Sequence, residues 1–253
     1  MRVLLVSDIH SNLEALQAVI EAAPAERFDE VWCAGDITGY GPNPTECVEF
    51  FRTLPHARIV LGNHDAVIAR LVPPLAFNPH AIAAVKKNLQ AISPESAAWL
   101  AGLPKSLDLG RGMSLVHGSP LDPDEYLLSL ELAIPSLSSM SGSGMKIAFF
   151  GHTHLPALYM HDRERDRYTE DPVIADHDIR IDIQENRTWL VNPGSVGQPR
   201  DGDPRAAFME LDIGENTIVI RSRRVYYKIA SCQEKMRLQE YPVMLINRLN
   251  LGY

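Results

Sequence analysis

The sequence predicts an α/β fold of two mixed sheets flanked by helices, and three features predict it. Short apolar, β-rich runs at residues 3–7, 31–34 and 58–61 alternate with two helical segments. That β-α-β-α-β order implies parallel pairing through right-handed crossovers. Further runs at residues 105–109, 113–116, 147–150, 189–191, 206–211 and 217–225 supply a second set of strands. Finally, side chains able to bind cations stand directly after several of these runs, at the carboxyl ends where ligands gather in parallel sheets.

Residues 3–7 lack polar alternation, the pattern of a strand buried on both faces. Ser11 is read as the cap of the first helix, with Glu14 three residues later completing a capping box. Leu13, Leu16, Val19 and Ile20 give that helix its apolar face. Asn43 and Pro44 open the second helix, with proline at its tolerated first position. Residues from about 66 to 103 read as helical, restarting at Ser93, Pro94 and Glu95. This insertion is either a lid over a site near residue 63 or a helical pair packed on the sheet. Residues 136–144, rich in serine and glycine, read as a flexible loop. Residues 161–182 carry many charges of both signs and read mostly as a solvated hairpin. A C-terminal helix begins near Ile229 and is interrupted at Pro242. The 253 residues can bury a sizeable core and are read as one domain, 1–253, without internal repeats.

Hydrophobic residues at 45% and charged residues at 22% are ordinary globular values. A formal net charge of −8 argues against duplex nucleic acid as a partner, because phosphate contacts need clustered Lys and Arg. It leaves room for a small anion, since bound cations invert the local field. Cys33, Cys47 and Cys232 are odd in number and form no C-x-x-C; the first two read as small core residues. The opening apolar run is too short for a signal peptide and no stretch approaches a membrane span. The cytoplasm is therefore the expected location and a membrane is not an expected partner.

Seven ligand-type side chains recur in order: Asp8 and His10 in DIH, Asp36 in GD, Asn63 in GNHD, His117 in HG, and His152 and His154 in GHTH. Asp8 and His10 are two apart at a strand end, which in extended chain would point both to one side; His152 and His154 repeat that spacing. Hard oxygens and borderline nitrogens from several loops, with one carboxylate able to bridge, suit a pair of divalent cations. His64 follows Asn63 and is not needed as a ligand; its pKa suits protonation of a departing oxygen. Asp65 either orients His64 or caps a following helix, and the cap is the simpler role. His56, His80, His161 and His177 fit no block and are assigned to surface or packing.

These blocks resemble the ordered signature of the calcineurin-like metallophosphoesterases: D-x-H, G-D, G-N-H-[DE], H, G-H-x-H, spanning Asp8 to His154. NPGSVG at 192–197 extends the likeness to about Arg205, toward the small bacterial phosphodiesterase and diadenosine-tetraphosphate-hydrolase-like branch. The resemblance implies a four-layer α-β-β-α sandwich. It implies a first metal held by Asp8, His10, Asp36 and His154, and a second held by Asp36, Asn63, His117 and His152. Manganese and iron are the expected metals, with zinc or nickel also compatible with the donors. The expected reaction is hydrolysis of a small phosphate ester, a phosphodiester or nucleotide, by water activated to hydroxide between the cations.

Protein phosphatases of that superfamily carry G-D-x-x-D-R-G at the second block, whereas here it reads GDITGYG. The missing arginine weakens a serine/threonine phosphoprotein phosphatase reading, since arginine suits bidentate phosphate binding. Arg200 either replaces it or pairs with Asp201 or Asp203. Tyr40 either stacks on a base or packs its turn. Asn192, Gly194 and Ser195 are read as substrate contacts or as members of a plain turn. A non-catalytic scaffold of the same fold is the remote alternative, and the intact ligand set argues against it. Oligomeric state is not legible in these residues.

Overall fold

A computed structural model describes residues 1–253. Strands β1 (Arg2–Val6), β2 (Glu30–Cys33) and β3 (Ala57–Ile59) run parallel, joined by helices α1 (Leu13–Ala22) and α2 (Pro44–Thr53). Helices α3 (Asn63–Ile68), α4 (Pro79–Ala91) and α5 (Pro94–Ala101) follow. Strands β4 (Ser106–Gly110) and β5 (Met113–Val116) then lead through α6 (Leu130–Ser143) to β6 (Ile147–Phe149). Six strands complete the sheets: β7 (Pro156–Asp162), β8 (Arg167–Asp171), β9 (Asp178–Asp182), β10 (Arg187–Pro193), β11 (Ala206–Ile213) and β12 (Thr217–Val225). Helices α7 (Ile229–Leu238) and α8 (Val243–Arg248) close the chain. One sheet has the order β3-β2-β1-β11-β12-β9, the other β4-β5-β6-β10-β7-β8.

Period-two alternation explains how both sheets are buried on both faces. Val3 and Leu5 of β1, Trp32 of β2 and Met209 and Leu211 of β11 point between the sheets. There they meet Leu115, Phe149, Leu158 and Val191 from the second sheet. The alternate residues Leu4, Val6, Val31, Cys33 and Phe208 face outward onto Leu16, Val19, Val48 and Phe51 of α1 and α2. On the far side, Ala148, Tyr159 and Leu190 face Ala133, Leu137 and Met140 of α6. The result is the expected helix-sheet-sheet-helix layering.

Four local expectations are corrected. The cap of α1 is Asn12, whose side chain accepts from the Ala15 N–H at 3.1 Å. Ser11 instead donates to Asn88 at 2.7 Å, and Glu14 is buried and pairs with Lys235 of α7 at 2.8 Å. Residues 136–143 are helical rather than loop, because Ala133, Ser136, Leu137 and Met140 form a buried stripe on the second sheet. Only Gly144, left-handed at φ 79°, ends that helix as the composition suggested. Residues 161–182 form a hairpin only as far as β8; β9 then pairs with β12 in the other sheet. Asp65 is not a cap but the third residue of α3, behind Gly62.

The segment from 66 to 103 is knitted into the body. Asn88 of α4 is fully buried and donates to the Gly41 carbonyl at 2.9 Å and Tyr241 Oη at 3.0 Å. It accepts from the Gly39 N–H at 2.9 Å. Ala81 and Ala84 of α4 pack with Met236, Leu245 and Ile246 of the C-terminal helices. All three cysteines are buried and unpaired, and no helix is long and apolar enough to cross a membrane.

Candidate metal centre

The strands β1, β2, β3, β5, β6 and β10 end at one rim, and all seven ligand-type residues follow five of those ends. They do not project from extended chain, as the i, i+2 spacing suggested. Asp8, His10, Asp36, His152 and His154 all adopt left-handed backbone, with φ of 53°, 49°, 54°, 67° and 62°. The chain turns sharply at each, and every such non-glycine residue costs on the order of 1 kcal/mol or more. Such strain persists where surrounding bonds over-determine it. Here the Asp8 N–H donates to Gly35 O, the His10 N–H to Asp36 O and the Gly197 N–H to Asp8 O, all near 3.0 Å.

Three overlapping clusters result: Asp8, His10 and His154 form one, Asp36, His117 and His152 another, and His10, Asp36 and His64 a third that shares two members with them. The first two hold six of the seven sequence-predicted ligands. Asp36 stands between them: its Oδ2 lies 3.7 Å from His10 Nε2 and 3.4 Å from His117 Nε2. Its other oxygen accepts from the His64 main-chain N–H at 2.9 Å, at the start of α3 where the helix dipole favours negative charge. Asn63 Oδ1 lies 3.1 Å from His117 Nε2. Gly62 makes this approach possible, since a Cβ there would collide with the Asp36 carboxylate.

Hydrogen bonds fix which ring nitrogens face inward. The Nδ1 atoms of His10, His117 and His154 donate to the carbonyls of Thr38, Ala34 and Gln198 at 3.0, 2.7 and 2.6 Å. In neutral rings each Nε2 therefore presents a lone pair, and main-chain bonds of this kind orient metal-binding histidines. Yet His10 Nε2 and His154 Nε2 face each other at 2.9 Å. Two lone pairs at that distance repel, and a cation between them removes the conflict. Buried Asp8 Oδ1 and His152 Nε2 also have no hydrogen-bond partner. The residues present thus fit a pair of cations.

Without cations the electrostatics are those of crowded, dry charge. Burial pushes the Asp8 carboxyl up to about 7, with the Asp36 charge adding to it and His117 opposing. Burial also acts against charge on Asp36, but His117, His64 and His10 outweigh it and hold that carboxyl below the usual range. Burial disfavours a charged His117, yet the Asp36 carboxylate raises it to about 10. Burial lowers His152 to about 3 and His64 to about 4, and takes His10 and His154 well below the usual value. Neutral imidazole is the form that ligates.

The remaining sequence candidates fall into two groups. Asn192 donates to the Gly151 carbonyl at 2.7 Å and Thr153 Oγ1 at 3.1 Å, and accepts from Gly194 N–H at 2.8 Å. Ser195 donates to the Asp8 carbonyl and accepts from Gln198 N–H, both at 2.8 Å. Both side chains are fully buried and pin the loops that carry Asp8, His152 and His154. Gly194, at φ 81°, leaves room for Pro156 and Ala207 rather than facing the centre. Asp65 accepts from Ile37 N–H and from the Thr38 N–H and hydroxyl at 3.1, 2.8 and 2.8 Å; it anchors the Asp36 loop and does not touch the His64 ring.

His64, Tyr40 and Arg200 border the centre. The His64 ring lies 4.9 Å from His10 and 4.7 Å from Tyr40, and its buried Nδ1 has no partner. Arg200 lies over Tyr40 at 5.7 Å and bonds Gln198 Oε1 at 3.1 Å. It does not pair with Asp201 or Asp203, which are held by Arg224 and Arg205. A cavity of about 290 Å³ opens beside the centre, lined by Asn63, His64, Phe77, Tyr126 and His152 among others. Phe77 packs on His64 at 4.3 Å and Tyr126 on His152 at 3.8 Å. Sequence reading missed both; their one signal is that each is a lone aromatic in a loop following a ligand block.

A family model described as the calcineurin-like phosphoesterase superfamily domain matches residues 1–216. An uncharacterised protein of Methanocaldococcus jannaschii is 33% identical over 250 residues, 98% of this chain and 96% of its own length. The crystal structure of a metallophosphoesterase from Sphaerobacter thermophilus is similar at TM-score 0.84 and 35% identity, covering 100% of this chain and 99% of that one. A symmetrical bis(5'-nucleosyl)-tetraphosphatase of Psychromonas ingrahamii is 40% identical over 67 residues, only 26% of this chain and 24% of its own. With five ordered ligand blocks meeting at one rim and a family match over most of its length, the chain belongs to the calcineurin-like phosphoesterase superfamily and is a hydrolase of the metallophosphoesterase kind.

Proposed function

We propose that the protein hydrolyses small phosphate esters, phosphodiesters or nucleotide-type compounds, at a binuclear centre held by Asp8, His10, Asp36, Asn63, His117, His152 and His154. The observation that carries this reading is the facing pair of Nε2 lone pairs on His10 and His154 at 2.9 Å, both with Nδ1 already bonded to main chain. When bound, two divalent cations, manganese or iron by donor chemistry and zinc or nickel as alternatives, offset charge on the phosphoryl oxygens and lower the pKa of water.

The chain's own residues supply the rest. Asp36 places one carboxylate between the first two clusters. His64, held neutral by burial, gains charge stabilisation when a phosphate anion lies beside it and then holds a proton for the departing oxygen. Arg200, free of carboxylate partners, binds phosphoryl oxygens, with Tyr40 fixing its plane. Asn192, Gly194 and Ser195 act by positioning the loops around them. The cavity walled by Phe77 and Tyr126 takes the organic group of the ester. The local likeness to a dinucleoside tetraphosphatase supports a nucleotide-type group. Buried, unpaired cysteines agree with the reducing cytoplasm.

The test is a metal-supplemented panel: p-nitrophenyl phosphate, its bis ester, a dinucleoside polyphosphate and a phosphopeptide, with manganese, iron, zinc or nickel. Turnover of one of the first three above the phosphopeptide is expected. No turnover of any substrate by protein shown to hold two metals would sink the reading.

A further inference from the structure

The matched family domain ends at residue 216, yet the chain continues through α7 and α8 and returns to the site. There Arg248, the last residue of α8, places its guanidinium 6.0 Å from the Tyr40 ring centroid. Arg200 approaches the same ring at 5.7 Å. Two guanidinium groups therefore share one tyrosine. No side-chain carboxylate pairs with either, whereas neighbouring Arg205 and Arg224 are held by Asp203 and Asp201. Arg248 Nε donates to the Tyr253 main-chain oxygen, and Arg200 Nε is buried with no partner.

The placement is built rather than incidental. Leu245, Ile246 and Leu249 bury α8 against α4, α7 and Tyr40 itself. The Gly202 N–H donates to the Gly252 carbonyl at 2.9 Å, tying the end of the chain to the loop that carries Arg200. The Arg200 main-chain N–H donates to the His154 carbonyl at 3.4 Å, whereas Arg248 meets the site only across the Tyr40 ring. Arg248 is perturbed chiefly by burial and then by Arg200, which together lower it to about 10. The order outward from the ligand cluster is therefore Arg200, then Arg248. Like charges so placed repel, and an anion longer than one phosphate relieves both.

We infer that Arg248 is a specificity residue that binds a second phosphate of the substrate, so that the site favours esters of diphosphate or longer phosphate chains over simple monophosphates. This rests on the proposed phosphoesterase reading for the position of the first phosphate. The experiment uses metal-loaded full-length protein in excess free manganese and titrates it calorimetrically with AMP and with the non-hydrolysable α,β-methylene analogue of ADP. The wild type should bind the diphosphate analogue roughly tenfold tighter or more, the range of a charge-assisted contact. Arg248→Gln should bring that ratio close to one, and Arg248→Lys should retain part of it. An unchanged ratio in Arg248→Gln, or an equal loss for both ligands, would overturn the assignment. Should the protein turn over no ester while this pattern holds, the phosphoesterase reading falls and the second anion contact stands.

Discussion

At the scale of single residues, His64 and Asp36 carry separable roles in the proposed function. His64 touches the centre through its main chain and borders it with its ring; it joins only the cluster of His10 and Asp36, both of which also belong to a cluster without it, and its buried Nδ1 has no partner. His64→Ala should lower kcat by about 10²–10⁴-fold, the usual range for a general acid, with metal content by atomic emission nearly unchanged. Loss of stoichiometric metal would make it a ligand instead. Asp36→Asn removes the charge between His10 and His117 and should release both ions rather than one. Two metals retained per chain in that variant would refute a bridge. The candidate ligands were legible in sequence because each block pairs a donor with a glycine or neighbouring turn residue. Their backbone was not: the left-handed turns at Asp8, His10, His152 and His154 depend on bonds from residues 26 to 189 positions away, such as Gly197 N–H to Asp8 O.

At the scale of elements, Asp65 shows why the second block and α3 act together. Its carboxylate joins the first turn of α3 to the loop after β2 through three accepted hydrogen bonds. Burial, with Asp36 adding to it, raises its pKa to about 6 while the Thr38 bonds oppose the rise. Asp65→Ala leaves those buried donors unpaired, so a loss of about 2–4 kcal/mol is expected from the desolvation of two or three such groups. Urea unfolding with and without chelator would check it. A loss below about 0.5 kcal/mol in the chelated protein, where metal cannot contribute, would show the loop to be held by other contacts. Sequence alone suggested an N-cap because Asp before an apolar helix usually is one; Gly62 had already taken that place. The Ser and Gly content of α6 misled for a similar reason. Propensity is a weak prior, and burial of Leu137 and Met140 against the second sheet overrides it.

For the whole molecule, the period-two and helical patterns disclosed both sheets and most helices, since buried faces repeat locally. They could not disclose that β9 leaves the second sheet for the first, nor that α8 returns Arg248 to the rim, because both depend on contacts between distant segments. The same long-range convergence couples metal binding to global stability. Cations that bind only the folded chain stabilise it by about 2.7 kcal/mol at a hundredfold excess over Kd. For a chain of this size that corresponds to roughly 5–10 °C in Tm, so chelation should lower Tm by about that much. The gap should also depend on pH. In the cation-free fold His117 is raised from 6.5 to about 10, so its contribution is full below 6.5 and is lost as pH rises through about 10. Asp8, raised from 3.8 to about 7, likewise favours the cation-free fold at low pH and loses that contribution through about 7. Asp36, depressed, changes only in acid. Ligation requires Asp8 and His117 without protons, so cations displace two protons near pH 6 and mainly the one on His117 near pH 8.5. The metal-dependent rise in Tm should therefore widen from about pH 6 to 8.5, with affinity climbing more steeply below about 7. Calorimetry in buffers of different ionisation enthalpy counts the protons directly. A release that does not increase on going from about pH 8.5 to 6 would remove Asp8 from the ligand set.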